Sequence, residues 1–179
     1  MSDVSVSNSL AVSRAGFTAT PLKGGRRFAL QGRKDTLEGA AKAFGLSEAP
    51  GMLASAAAGD CTLLRLAPQE LFIITGDAGL PEAVTTYLGT VPNSLVEVSE
   101  RQIGWTLEGE KLRDTLASLS PLDMRERSFP VGMVTRTLFG KADGMVWRTG
   151  ENTFHLEVWR SFGPYMSSMM DAAALDAAW

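Results

Sequence analysis

The sequence predicts an α+β fold made of two related β-α-β-β-α halves with antiparallel sheets, and three observations carry that expectation. Short runs alternate apolar and polar residues at period two, the pattern of strands with one buried face. Between them lie segments whose apolar residues fall at helical spacing. The chain also repeats itself: Arg65 to Leu88 aligns without gaps onto Arg148 to Asp171, so that Leu71 meets Phe154, Ile73 meets Leu156 and Pro81 meets Pro164.

Residues 1–20 read as a flexible arm, because Ser2, Ser5, Ser7, Asn8 and Ser9 are poor core material. Residues 21–179 read as one domain with internal halves at about 21–92 and 93–179. The first half opens with a strand at Phe28 to Gln31. Asp35 and Glu38 then form a capping-box-like pair ahead of a helix with Leu37, Ala40, Ala41 and Phe44 on one face. Ser47 to Asp60 reads as a loop, with Pro50-Gly51 breaking it and an alanine-rich tract as a candidate short helix.

Thr62 to Leu66 and Leu71 to Thr75 form a hairpin, followed by a helix that starts at Pro81 and carries Val84, Tyr87 and Leu88. Proline suits a first helical turn, where its missing donor costs nothing. Strands follow at Leu95 to Val98 and Gln102 to Glu108, and Leu107-Glu108-Gly109 resembles Leu30-Gln31-Gly32. Leu112, Leu116 and Leu119 mark the next helix, and Pro121 to Gly132 the next loop. The last strands are Met133 to Leu138, Met145 to Arg148 and Thr153 to Trp159, the final two joined by a Thr149-Gly150-Glu151-Asn152 turn. A helix opening at Pro164 with Met166, Met169, Met170 and Ala173 closes the second half.

Of 179 residues, 45% are hydrophobic and 21% charged, which excludes wholesale disorder and predicts a substantial core. A net charge of −3 argues against nucleic-acid binding, which asks for a concentrated basic excess. One cysteine, Cys61, and one histidine, His155, cannot build a nitrogen–sulfur zinc site or close an internal disulfide. The opening segment lacks the basic start and apolar core of a signal peptide, and no run approaches the ~20 apolar residues of a membrane span. A cytoplasmic location is therefore expected, with no membrane partner.

Chemistry in this chain is sparse. No strand precedes Gly24-Gly25-Arg26-Arg27 and no helix follows it, so a polar turn is expected there rather than a dinucleotide site. Phe139-Gly140-Lys141 lacks the earlier glycine and following hydroxyl of a phosphate loop. His155 lies opposite the Phe154, Leu156 and Val158 face, within reach of Glu157 two residues on, and reads as a structural or interface group. Cys61 beside Asp60 reads as inert packing. Asp143, after the Arg136 strand, is a candidate acid–base carboxylate by position only, weighed against an ordinary turn residue.

The arginines carry the sharper expectation, since Arg136, Arg148 and Arg160 all fall in or beside strands and arginine supports bidentate carboxylate contacts. Arg136 shares a strand face with Val134 and Leu138, which carries its guanidinium toward an apolar layer, paired either internally or with another chain. Trp105, Trp147, Trp159 and Trp179 are candidate anchors for a large interface, with Trp105 and Trp147 expected in the core instead. Trp179, after a run of alanines, has little local core to join. Arg136, Lys141, Arg160 and Trp179 are thus the candidate partner-interface residues, with no catalytic, cofactor-binding or metal-binding residue assigned.

With these segments in place, the sequence resembles the gamma subunit family of heterotetrameric sarcosine oxidase. The likeness rests on LVEVSERQIGWTLEG from Leu95, SPLDMRERSFPVGMVTRTLFGKADGMVWRTG from Ser120 and FHLEVWRSFGPYM from Phe154. Arg65 to Ile74 resembles the family's arginine-leucine-x-proline-x-glutamate hairpin, with Leu71 where a tryptophan is common. The resemblance implies a fold related to the folate-binding domain of the glycine-cleavage T-protein. It also implies a place beside alpha, beta and delta subunits in a complex that oxidatively demethylates sarcosine to glycine and hydrogen peroxide. The one-carbon unit would leave as formaldehyde or methylenetetrahydrofolate. FAD, FMN, NAD and tetrahydrofolate are then expected in the partner subunits and no cofactor in this chain. The alternatives are a folate-binding aminomethyl-transfer protein, or a gamma-like subunit of a related N-methyl amino-acid dehydrogenase.

Overall fold

The computed structural model describes residues 10–177, which form two compact units. One contains residues 24–99 and the other residues 10–23 with 100–177. Among the described residues no helix is long and apolar enough to cross a membrane.

In the unit of residues 24–99, five antiparallel strands lie in the order β4-β5-β6-β3-β7. They are β3 (Arg26–Gly32), β4 (Ser55–Ala58), β5 (Cys61–Ala67), β6 (Glu70–Thr75) and β7 (Asn93–Glu97). Helices α1 (Lys34–Ala43) and α2 (Leu80–Leu88) cover one face. Leu37, Ala40 and Ala41 of α1 and Leu80, Val84 and Leu88 of α2 pack with Phe28, Leu30, Leu63, Leu71 and Ile73. The helices approach closely at Gly39, where a Cβ would lie 2.6 Å from Leu88 Cδ2.

The other unit has six antiparallel strands in the order β1-β2-β8-β11-β10-β9. They are β1 (Val12–Arg14), β2 (Phe17–Pro21), β8 (Gln102–Glu108), β9 (Val134–Phe139), β10 (Ala142–Gly150) and β11 (Thr153–Trp159). Helices α3 (Leu112–Leu119) and α4 (Gly163–Ala177) close one face over Trp105, Leu107, Val146, Phe154, Leu156 and Val158.

The repeat is visible in both strand orders, since β4-β5-β6-β3 corresponds to β9-β10-β11-β8. The strand next to β3 is β7, which precedes the second half in sequence, whereas the strand next to β8 is β2, which precedes the first. Each half thus lends its opening strand to the other half's sheet.

Several expectations change. Leu10 to Thr20 is not a loose arm: Leu10, Val12, Phe17 and Ala19 join the core, because β2 supplies β8 with a hydrogen-bonding neighbour. Residues 1–9 lie outside the described residues. The alanine-rich tract forms β4, not a helix, because pairing with β5 satisfies its backbone. Asp35 and Glu38 make no capping box; the N-cap is Arg33, and Glu38 Oε2 instead accepts from the Ala49 amide at 2.9 Å. Tyr87 is 54% exposed, on the outer side of α2.

Candidate functional site

The face of the six-stranded sheet turned away from α3 and α4 carries the chain's only histidine. Register places Met145 and Trp147 of β10 opposite Glu157 and His155 of β11, and those opposite Gly104 and Thr106 of β8. His155 Nε2 and Glu157 Oε1 are 2.9 Å apart, both groups are buried, and Trp147 lies with its ring centroid 5.8 Å from the imidazole. Gly104 makes room for this pair, because a Cβ there would sit 2.6 Å from Glu157 Oε1. The expected contact between His155 and Glu157 is therefore present, and Trp147 belongs to this polar face and not to the helix-side core. Trp105 is core, and its Nε1 donates to Leu10 O at 2.9 Å.

Arg148 points to the opposite face and is fully buried there. Its guanidinium donates to three backbone carbonyls: Phe129 at 2.9 Å, Gly150 at 3.1 Å and Glu151 at 3.0 Å. Charge-assisted bonds to carbonyls stabilise the 121–132 loop and the β10–β11 turn without any carboxylate. The sequence suggested carboxylate recognition for this residue; its geometry assigns it to loop anchoring.

Arg136 is exposed on edge strand β9, so its guanidinium does not enter an apolar layer. The face assignment holds, since Val134 is buried and shares that side, but Leu138 next along is 49% exposed. Lys141 is an exposed turn residue whose amide donates to Tyr165 Oη at 3.0 Å. Arg160 is exposed and meets Glu100 Oε2 at 3.2 Å, not Glu157. Trp179 lies outside the described residues. Asp143 is exposed on β10.

The glycine-arginine turn closes on itself, since Gly24 and Gly25 have positive φ and Arg27 Nη1 donates to both their carbonyls. Arg26 grips Glu97 through two bonds of 3.0 and 2.7 Å, and Glu97 also accepts from Ser99. The Arg26 guanidinium, with help from Ser99, holds the Glu97 carboxyl down at about 2. Burial, with Asp60 and Asp77 nearby, pushes the Cys61 thiol up to about 11, in keeping with a packing role. Among the described residues no group of three or more His, Cys, Asp or Glu side chains could hold a metal ion.

Sequence reasoning missed Arg101, and it offered Trp159 only as one of four candidate interface anchors. Trp159 is 51% exposed at the end of β11, with the Arg101 guanidinium 5.8 Å from its ring centroid. Parity along β11 puts Trp159 on the face opposite Val158, which was the available signal.

This doubled antiparallel arrangement defines a fold class that includes the aminomethyltransferases of glycine cleavage. The chain aligns with the glycine cleavage system aminomethyltransferase T from Bartonella henselae at a TM-score of 0.69 and 15% identity, covering 94% of this chain and 49% of that one. Residues 35–176 match the sarcosine oxidase, gamma subunit family, and the chain belongs to that family. It is 29% identical over 118 residues to the sarcosine oxidase subunit gamma of Arthrobacter sp., and 26% identical over 113 residues to that of Corynebacterium sp. (strain P-1). These matches cover 65% and 63% of this chain but only 58% and 55% of the two relatives. A chain of the heterotetrameric sarcosine oxidase from Corynebacterium sp. U-96, in complex with pyrrole 2-carboxylate, aligns at a TM-score of 0.85 and 20% identity. That alignment covers 98% of this chain and 92% of the other.

Proposed function

We propose that this chain is the non-catalytic gamma subunit of a heterotetrameric sarcosine oxidase, acting on assembly and not on bond-making. The observation that carries this reading is the family match over residues 35–176. Its partners are alpha, beta and delta subunits that hold FAD, FMN, NAD and tetrahydrofolate. They oxidise sarcosine to glycine while oxygen is reduced to hydrogen peroxide, and the methyl carbon leaves as formaldehyde or passes to tetrahydrofolate to give methylenetetrahydrofolate. In this reading the chain acts as a gamma-type subunit in the cytoplasm. Arg136, Lys141, Arg160 and Trp179 face neighbouring subunits. Exposed arginine and tryptophan suit that role because both are enriched at the energetic centres of interfaces.

Co-expression of the partner subunits with and without this chain tests the proposal. Loss of assembled holo-complex when the chain is omitted supports it, and a complete, fully active complex without it refutes it. A related N-methyl amino acid could replace sarcosine as substrate, and comparing turnover of the two by the purified complex decides between them.

The likeness to an aminomethyltransferase favours one second reading, a folate-binding transfer protein. A shared fold does not fix function. Titration of the purified chain with tetrahydrofolate separates the two: tight, saturable binding favours the transfer protein, and no binding leaves the subunit reading ahead.

A further inference from the structure

One end of the six-stranded sheet concentrates the side-chain types that dominate protein interfaces. Trp159 ends β11 and is 51% exposed, although β11 lies between two hydrogen-bonded neighbours. Because β8 and β11 are antiparallel, the start of β8 adjoins the end of β11, with Gln102 opposite Trp159. Arg101, in the 3-10 turn Ser99–Arg101 just before β8, lays its guanidinium over the Trp159 ring at 5.8 Å. Arg160, in the 3-10 turn Arg160–Phe162 just after β11, extends beside them and touches Glu100 at 3.2 Å.

The chemistry of this patch selects its ligand. The spot carries two guanidiniums, Arg101 over the Trp159 ring and Arg160 paired with the exposed Glu100, so its exposed charge sums to positive on a chain of net charge −3. A guanidinium stacked on a ring still presents its N–H edge outward, in the fork that matches a carboxylate. The tryptophan adds a large, stiff apolar surface at little entropic cost, and the Arg101–Trp159 and Arg160–Glu100 contacts restrain the two guanidiniums before binding. Two arginines are too few to follow a phosphate backbone, which requires an extended basic stripe.

We infer that Trp159, Arg101 and Arg160 form a docking spot for an acidic protein surface on a larger, unlike subunit, an inference that rests on the subunit reading above. The tryptophan seats against an apolar depression on the partner, and partner carboxylates take the outward edges of the two guanidiniums.

Competitive co-expression tests this in the intact complex. Wild type and a variant of this chain are produced together with the partner subunits, and their ratio in the purified complex is read by mass. Trp159→Ala should be excluded by at least about 30-fold, the discrimination expected from a hot-spot truncation. The double variant Arg101→Glu, Arg160→Glu should be excluded similarly, and adding salt should weaken wild-type incorporation toward it. Tyr87→Ala, which removes an equally exposed aromatic from α2, should enter as readily as wild type. Melting curves of the isolated variants check folding, and if Trp159→Ala melts early the arginine double variant carries the test. Near-equal incorporation of a folded variant with wild type overturns the docking spot and leaves the subunit reading standing. Failure of wild type itself to enter any complex overturns both.

Discussion

Arg65 and Arg148 stand at equivalent positions of the two halves and make equivalent hydrogen bonds. The Arg148 backbone exchanges bonds with Gly132 at 2.8 Å and Met133 at 2.9 Å, and that of Arg65 with Leu53 and Ala54, each at 3.0 Å. The side chains repeat the correspondence: Nη1 reaches Phe129 O in one and Pro50 O in the other, and Nη2 reaches the carbonyl three residues on, Glu151 or Pro68. Both strands shift register directly after the arginine. The two differ at Nε, which donates to Gly150 O in Arg148 and is buried without a partner in Arg65.

That difference predicts unequal costs. Arg148→Met removes three bonds from a fully buried side chain, one of them to the buried Phe129 carbonyl, and should cost about 3 kcal/mol, whereas Arg65→Met removes two bonds from a half-buried side chain and should cost about 1 kcal/mol. Urea unfolding of the two variants checks the order, and equal losses would contradict it.

Gly104→Ala should destabilise the chain by about 2 kcal/mol, although alanine in place of glycine ordinarily adds about 0.5–1 kcal/mol within a strand. The added methyl forces the buried Glu157 carboxylate away from its position beside His155. Urea unfolding gives the loss, and a shift of the His155 ring resonances reports the broken contact. A stabilised protein with unchanged ring signals would refute this packing.

Phe17→Ala tests the assignment of β2 to the core. Phe17 is 1% exposed among Trp105, Leu107 and the α3 and α4 side chains, so truncation should cost about 3–5 kcal/mol. A change below 1 kcal/mol, of the size expected on a loose arm, would count against the strand.

Acid should release the Arg26–Glu97 clamp in a defined window. The folded carboxyl titrates at about 2 against an ordinary value of 4.5, so the unfolded chain binds the extra proton between those values. The clamp's contribution is whole above about pH 4.5 and is lost as pH falls toward 2. Denaturation midpoints of wild type and Glu97→Gln should therefore differ at pH 6 and converge in acid. A difference that grows on acidification would reverse the sign and contradict the pairing.

Much of the fold was legible because its signals are local. Phe154, Leu156 and Val158 alternate along β11, Pro81 and Pro164 open matching helices, and the repeat exposed the equivalence of Arg65 and Arg148. The misses are non-local. Nothing within Ser55–Ala58 distinguishes an alanine-rich helix from a strand; pairing with β5 decides it. The exchange of β2 and β7 between sheets depends on partners more than 60 residues away. Arg136 was placed on the correct strand face, but its exposure follows from the edge position of β9, which the sequence does not encode locally. Trp159 and Arg101 come together only when the ends of β8 and β11 adjoin.

The most direct test of the account is native mass measurement of the sarcosine-oxidising complex after gentle purification, paired with an activity assay of this chain alone. The account predicts four unlike subunits with bound flavin, this chain among them, and no turnover of sarcosine by the isolated chain. Oxidation of sarcosine by the purified chain, or an active complex that lacks it, would contradict the account.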